Sequence, residues 1–430
     1  MSDRHDTYSH KIDATYLSLT GQDIWGDLNT DLDTLSLAER SNIVELDRQL
    51  HGHWGLGRNF ILGWCGTATG IELLIVPHYT VADYALAARP GTPNVTHSSH
   101  EAADFVMGLL SQHRQMTSRQ MKNAARLLDV TPEQIKLRQP LTNSASETRI
   151  IEKLVKRYGV SYIQNRAVAL FDIVSFSLLS PFEQMTQLNS LSYSLNSAHS
   201  KMLDRELNVN FARSSTGDGF YIWNRELGVS ANTNLYHLMN LVLADNAIAR
   251  SKAHGRTVPL LRAAFHVGSC YEYHQSEGLN PTVFSDIVGD VTIELARMVE
   301  RALPGQVLVG DFNAVLPGDK PNTCIELDAI AFVAYAQVNL SQLNGLVLSG
   351  EAIQSIKCYL TGEACEDGHF SIRKLCIEDK HGLLHTVFNA KINIYRSHAE
   401  PILLGIEDRM LRDDNIAMVT TGHIYPHIRH

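Results

Sequence analysis

A carboxylate at the end of an apolar run is the first feature of this chain that could do chemistry. Residues 166–171 read as a buried strand, and Asp172 follows directly, ahead of Ile173, Val174, Ser175, Phe176 and Ser177, where a helix N-terminus is expected. Helix N-termini present unpaired N–H groups and a partial positive charge, which suit phosphate oxygens. A carboxylate there repels phosphate unless a divalent cation lies between them. Such a cation takes hard oxygen ligands and keeps waters or phosphate oxygens in its shell. Asp218 is a second carboxylate, 46 residues further on, in the tight turn Thr216-Gly217-Asp218-Gly219. Its glycines permit positive φ and close approach. If strand and hairpin pair as neighbours, Asp172 and Asp218 face one site, the layout of a two-carboxylate, two-metal phosphoryl-transfer centre. Alone, an Asp after a strand is more often a cap, and such a turn is more often a plain hairpin tip; the two in this order are far more specific.

The elements that must position these residues follow from local pattern. Residues 208–215, the Gly217-Asp218-Gly219 turn and 220–223 form a hairpin signature. Ser180-Pro181 is an N-cap and N1 pair opening a long helix, with Phe182, Met185, Leu188, Leu191, Leu195 and Met202 as its apolar positions. A helix is expected over 235–253, a strand over 258–267 that carries Arg262, a helix over 290–303 that carries Arg297, and a strand over 305–309. Residues 313–368 read as an insertion of helical character, and strands return over 369–395. Strands and helices mix without strict βαβ repetition, which predicts an α+β sheet with helices on one side.

Four blocks of this stretch resemble the catalytic domain of the class III nucleotidyl cyclases, the adenylate and guanylate cyclases. They are LFDIVSFS (170–177), SSTGDGFYIW (214–223), LRAAFHVG (261–268) and FSDIVGDVTIELARMVERALPGQVLVG (284–310), in the family's order with compatible gaps. The resemblance covers residues 160–310 well and 369–395 loosely. It implies a ferredoxin-like domain, a mostly antiparallel central sheet with helices, that cyclises a nucleoside triphosphate to a 3′,5′-cyclic nucleotide and pyrophosphate. Asp172 and Asp218 fall on the family's metal-ligand aspartates, with the Ile173 carbonyl beside them, implying two Mg²⁺ or Mn²⁺ ions per site. Ser175, Phe176 and Ser177 fall on the nucleotide-binding loop. Arg262 falls on a strand arginine that neutralises phosphate, and Arg297 on the arginine that meets the α-phosphate in the transition state. Guanidinium groups suit both tasks, being permanently charged and able to fork across two oxygens. The bland alternatives are an edge-strand Arg262 facing solvent and an Arg297 paired with Glu294 or Glu300 on the helix surface. Family sites lie between two catalytic domains, so a homodimer with shared sites is implied.

The chain departs from the family in three places. The base-reading position before Gly217 holds Ser214 instead of Lys or Glu, while its counterpart, Asp286, is the adenylate-type choice. The position four before Arg297, where the family has an Asn, holds Ile293. The lysine that meets the terminal phosphates has no clear counterpart; Lys380 is the candidate, and a plain hairpin-turn lysine is the favoured reading of it. An ionised Asp286 only accepts hydrogen bonds, so it favours bases that offer an exocyclic amine. ATP is the expected substrate and CTP the runner-up. The alternatives are a pyrimidine cyclase of bacterial anti-phage signalling and a non-catalytic cyclase-like module that binds a nucleotide or a partner.

Composition sets the outer limits. The chain has 430 residues, 37 Lys and Arg against 46 Asp and Glu, a net charge of −9, and no basic run. It is a poor candidate for a nucleic-acid binder. The first ten residues lack the apolar run of a secretory signal. The most apolar stretch, 54–76, is broken by Arg58, Asn59 and Glu72, so no membrane span is expected. Six cysteines without a CxxC pair suggest reduced thiols and a cytoplasmic protein. Length predicts more than one domain. The expected divisions are a mixed, mostly helical N-terminal region over 1–145, for which a sensory or regulatory role is the expectation; a connecting helix over 146–159; the catalytic domain over 160–396; and a tail over 397–430. Within the first region a helix is expected over 35–50, with Leu37, Ile43, Val44 and Leu50 buried. A strand is expected over 72–76, a loop over 90–99, helices over 102–110 and 118–128, and a helix start at Thr131-Pro132-Glu133. His51-Gly52-His53 lacks a placed third metal ligand, and Cys65 reads as a small buried hydrophobe. His423, His427 and His430 form a His-rich end.

Overall fold

A computed structural model describes residues 34–87, 97–276, 283–362, 371–411 and 417–424. The readings of residues 1–10, 90–96 and 363–368 and of His427 and His430 fall outside them. The chain divides into two compact units, Met1–Ile163 with Tyr271–Ile287, and Gln164–Cys270 with Val288–His430.

In the first unit, α1 (Leu37–Trp54) starts at a capping box between Ser36 and Glu39 and ends where Gly55 turns left-handed. It buries Ile43, Leu46, Leu50 and Trp54. Leu37, expected inside, is 85% exposed. It precedes Ile43 by six residues, which at ~100° per residue turns it about 120° off the buried face. The 72–76 strand extends to β2 (Gly70–Pro77), antiparallel to β1 (Asn59–Thr67). The helix start expected at Thr131 is instead β3 (Glu133–Lys136), which pairs with β2 and buries Ile135 in the core; an available sheet edge overrides a three-residue capping signal. Four further helices, α2 (His78–Ala87), α3 (His97–Ser111), α4 (Ser118–Leu127) and α5 (Ala145–Arg157), complete the described helices of this unit. Residues 97–99, expected in a loop, begin α3.

The second unit is a mixed sheet with helices packed into one large core. Its strands and helices comprise β4 (Val160–Ile173), α6 (Pro181–Leu203), β5 (Phe211–Ser215), β6 (Gly219–Asn224), α7 (Val229–Lys252), β7 (Leu261–Ser276), β8 (Val283–Val288), α8 (Asp290–Arg301), β9 (Val307–Gly310), β10 (Asn313–Pro317), β11 (Cys324–Asp328), α9 (Ala329–Asn339), β12 (Val347–Leu348), β13 (Glu351–Leu360), β14 (Ser371–Glu378), β15 (Leu384–Arg396), β16 (Ile402–Leu404) and β17 (Ala417–Ile424), with the start of β4, the end of β7 and all of β8 but Val288 falling in the first unit. The strand order is β12-β13-β15-β9-β7-β4-β6-β5. Antiparallel pairs dominate, and β7 and β9 run parallel through Ala263↔Val307 and Phe265↔Val309. Under the sheet, Phe265 of β7 stacks on Phe332 of α9 at 5.2 Å.

Two expectations need correction here. Phe182 and Met185 are exposed; they sit in the first turns of α6, ahead of the stretch that enters the core, whose buried positions begin at Gln187. The 313–368 segment is not predominantly helical. A β10–β11 hairpin precedes α9, and β13 joins the main sheet beside β15, burying Ile356, Cys358 and Leu360 in strand alternation. The tail is in part strand, β16 pairing with β15 and β17 with β14.

Candidate functional site

The ladder between β4 and β6 brings the two predicted carboxylates together. Asp172 is the penultimate residue of β4 and is paired with Gly219. The Ile173 N–H donates to the Asp218 carbonyl at 2.9 Å. A Cβ on Gly219 would stand 1.9 Å from the Phe171 carbonyl oxygen, so only glycine lets the strands close here. Gly217 has φ +95° at the hairpin tip, and the Thr216 hydroxyl donates to Asp218 Oδ1 at 3.3 Å.

Asp172 is 7% exposed, whereas Asp218 is half-buried. Arg262 reaches Asp172 from β7, with Nε 2.5 Å from Oδ2, and its Nη1 donates to the Ala302 carbonyl at 3.2 Å. Burial pushes the Asp172 carboxyl above the usual aspartate range; Arg262 opposes the rise through its hydrogen bond and charge, and Asp218 adds to it. Arg262 is therefore neither a solvent-facing edge residue nor free of partners.

The helix N-terminus expected beside Asp172 is a single 3-10 turn, Phe176–Leu178. Ser175 precedes it at φ +58° and its side chain does not cap it. The true helix start lies further on, where Ser180 and Glu183 cap α6 reciprocally. Phosphate binding by a helix dipole next to Asp172 is thus not available in this form. Ser175 and Ser177 are exposed and Phe176 is half-buried.

The remaining predicted residues disperse. Ser214 lies in β5 opposite Tyr221. Lys380 is exposed in the turn between β14 and β15. Asp286 lies in β8, where its carboxylate accepts from the Ile287 N–H at 2.9 Å and the Tyr273 hydroxyl at 3.4 Å. Ile293 is 54% exposed. The two residues that could replace the missing Asn are engaged: Thr292 Oγ1 caps α8 through Gly289, and Asp290 accepts from Ser269 at 2.6 Å.

Arg297 belongs to a second charged centre that the sequence did not reveal. Its Nε lies 3.1 Å from Asp379 Oδ2, and its Nη1 3.6 Å from Glu300. Asp379 is buried, and its Oδ1 takes the N–H groups of His381 and Leu383 at 2.8 and 2.9 Å. His385 approaches the same carboxylate at 3.4 Å and meets Glu294 at 2.7 Å through Nδ1. Burial pushes this carboxyl up, but the Leu383 and His381 N–H groups, His385 and Arg297 outweigh it and hold it down to about 2. The turn signature Asp379-Lys380-His381-Gly382 was the available clue, since an Asp opening a turn commonly accepts N–H groups a few residues on.

The donor set suits hard divalent cations. Asp172 and Asp218 supply carboxylate oxygens, and their mutual repulsion, which contributes to the raised Asp172 carboxyl, is what a cation would relieve. Among the described residues no group of three or more His, Cys, Asp or Glu could hold a metal. A cation held by these two carboxylates alone would need water or other oxygens to complete its shell. His51 packs against the rings of Trp54 and Tyr158. Among the described residues no helix is long and apolar enough to cross a membrane.

No protein-family model matches the chain, and no curated protein matches it. Among solved structures, the chain is similar to the guanylate cyclase domain of RhGC from Catenaria anguillulae in complex with GTP, with 10% identity and a TM-score of 0.31 over 55% of this chain and 98% of that one. It is also similar to the guanylyl cyclase Cya2, with 10% identity and a TM-score of 0.30 over 54% of this chain and 92% of that one. A third is the adenylyl cyclase CyaB from P. aeruginosa, with 12% identity and a TM-score of 0.28 over 55% of this chain and 97% of that one.

Proposed function

We propose that this protein is a nucleotidyl cyclase that converts a nucleoside triphosphate, ATP by preference, into a 3′,5′-cyclic nucleotide and pyrophosphate. The observation that carries the reading is the Asp172↔Gly219 ladder pair, which sets Asp172 beside Asp218 with Arg262 on the first carboxylate. In this reading Asp172, Asp218 and the Ile173 carbonyl hold two Mg²⁺ or Mn²⁺ ions. Bound there, the ions would acidify the attacking 3′-hydroxyl and neutralise the β- and γ-phosphates. Arg262 balances Asp172 in the free protein and turns its guanidinium to phosphate oxygens in the complex. Asp379 is a positioning residue that fixes Arg297 through Nε, and Arg297 meets the α-phosphate of a nucleotide held by a second copy of this chain. Ser175, Phe176 and Ser177 border the nucleotide. Lys380 contributes no step, its exposed turn position matching the plain hairpin reading. Asp286, an acceptor when ionised, selects bases with an exocyclic amine, and Ser214 adds little discrimination.

The test is pyrophosphate release from each of the four ribonucleoside triphosphates at equal concentration with Mn²⁺ or Mg²⁺, with mass analysis of the product. ATP should turn over fastest and CTP next, with GTP and UTP poor, and Asp286→Ala should flatten the preference. A wild-type preference for GTP or UTP, or an unchanged preference in the variant, removes Asp286 as the base reader. No pyrophosphate from any nucleotide leaves the protein a non-catalytic module, the reading that exposed Ile293 and the engaged Thr292 favour.

A further inference from the structure

The first unit contains a cleft for which the cyclase reading has no use. It is an open cleft of about 750 Å³, within the ~300–1,000 Å³ typical of small-molecule sites. Its walls come from the C-terminal half of α3, the segment 112–117, the start of α4 and Lys156 of α5. These walls are tied in place. Buried Arg114 donates to the carbonyls of Leu110 at 3.2 Å and Val160 at 2.7 Å. Met116 and Trp64 are joined by a 2.8 Å backbone bond, and Thr117 and Gln120 close a capping box on α4.

Gly108 sits inside α3 and lines this cleft. Glycine in a helix interior costs about 1 kcal/mol relative to alanine. No atom lies within 4 Å of the position its Cβ would take, so no neighbour in the fold requires a glycine there. Gly108 thus leaves the helix backbone open to the cleft. Phe105, 37% exposed, and Met116 supply apolar surface beside it. The polar lining includes amides such as Gln112 and Gln115, together with the Lys156 ammonium, and contains no carboxylate. Lys156 lies 3.3 Å from Glu152. That carboxylate already accepts from the Trp64 indole at 3.3 Å and from the Arg114 and Gln115 N–H groups at 2.7 and 3.1 Å. Glu152 keeps these three donors when Lys156 is shared with an anion in the cleft.

We propose that this cleft binds a small aromatic molecule bearing an anionic group, carboxylate or phosphate, its ring on the Gly108, Phe105 and Met116 side and its acid toward Lys156. The proposal does not rest on cyclase activity. The full chain is titrated with phenyl phosphate, benzoate, benzyl alcohol and inorganic phosphate by calorimetry and saturation-transfer NMR. Phenyl phosphate or benzoate should bind saturably below ~1 mM, and the alcohol and inorganic phosphate at least ~10-fold more weakly. Gly108→Leu should abolish binding by filling the cleft, while raising helix propensity so that the fold is kept, as circular dichroism will show. Lys156→Gln should weaken the anions ~10-fold and leave the alcohol unchanged. Should Gly108→Leu fail to fold, Gly108→Ala and Lys156→Gln decide the matter by the same measurements. Absence of saturable binding by either aromatic anion, or wild-type affinity for them in the glycine and lysine variants, overturns the proposal.

Discussion

The two charged centres of the second unit both bury an aspartate against an arginine, yet they shift the carboxyls in opposite directions. Asp172 has one strong donor, Arg262, and a second carboxylate close by, and burial pushes it up. Asp379 has two backbone N–H donors, a histidine and Arg297, and is held down to about 2. Burial is common to both; the count of donors decides. A carboxylate surrounded by donors is a structural tie, whereas one left short of partners beside another acid retains an appetite for cations. The arginines divide in the same way. Among the described residues Arg262 shares its carboxylate with no other strong donor, and Arg297 is one of several on its own.

Activity should separate the centres most sharply. Asp172→Ala and Asp218→Ala should each cut pyrophosphate release by at least ~10²-fold, the scale seen when a charge-stabilising group leaves an active site. Their Tm should stay within ~4 °C of wild type, equivalent to about 1 kcal/mol in a domain of this size. A folded variant with near wild-type turnover would remove the metal assignment.

Stability against pH should follow, with opposite signs at the two centres. Folding lowers the Asp379 carboxyl, so its stabilisation is present above the ~3.9 of an unfolded aspartate and is lost as pH falls towards 2. Asp379→Asn should be less stable than wild type at neutral pH and converge on it in acid. Folding raises the Asp172 carboxyl, so ionising it costs stability as pH rises from ~3.9 through its folded value. Asp172→Asn should therefore gain on wild type with rising pH. Denaturant melts of the three proteins across this range check both slopes, and parallel slopes would erase the distinction drawn from donor count. The smallest effect is expected from Arg262→Gln, which removes the groups that hold Asp172 down. Its carboxyl should titrate higher still by ¹³C NMR, and no movement would show that Arg262 does not set its charge state.

The β5–β6 hairpin was legible in the sequence because a strand, a glycine turn and a second strand fix register by local rules, whereas its pairing with β4, which sets Asp172 against Gly219 across an intervening helix, entered the reading only as a condition. The Arg297 centre was not, because Glu294, Arg297, Asp379 and His385 come from α8 and from the two ends of the β14–β15 turn, a long way apart along the chain. Local spacing offers Arg297 two helical partners; the structure gives it one, Glu300, and assigns Glu294 to His385. Helix phase was legible at Ile43 and Leu50, and misread at Leu37, where a capping turn exposes an apolar residue. Thr131-Pro132-Glu133 shows the converse limit, since nothing local announces that β2 needs a third strand. In the same way 313–368 read as an insertion because β13 finds its partner only across the sheet, in β15.

Gly219 has a further consequence for how the acidic pair tolerates change. Because the β4 and β6 backbones meet where any side chain would collide with the Phe171 carbonyl, the separation of the Asp172 and Asp218 Cα atoms is dictated by main-chain ladder geometry and not by side-chain packing. Substitutions in the surrounding core can drift while that separation stays constant, so the pair behaves as a fixed-pitch component set into an otherwise adjustable scaffold. Variation among descendants of this sequence should accordingly accumulate around the glycine and leave the glycine itself alone.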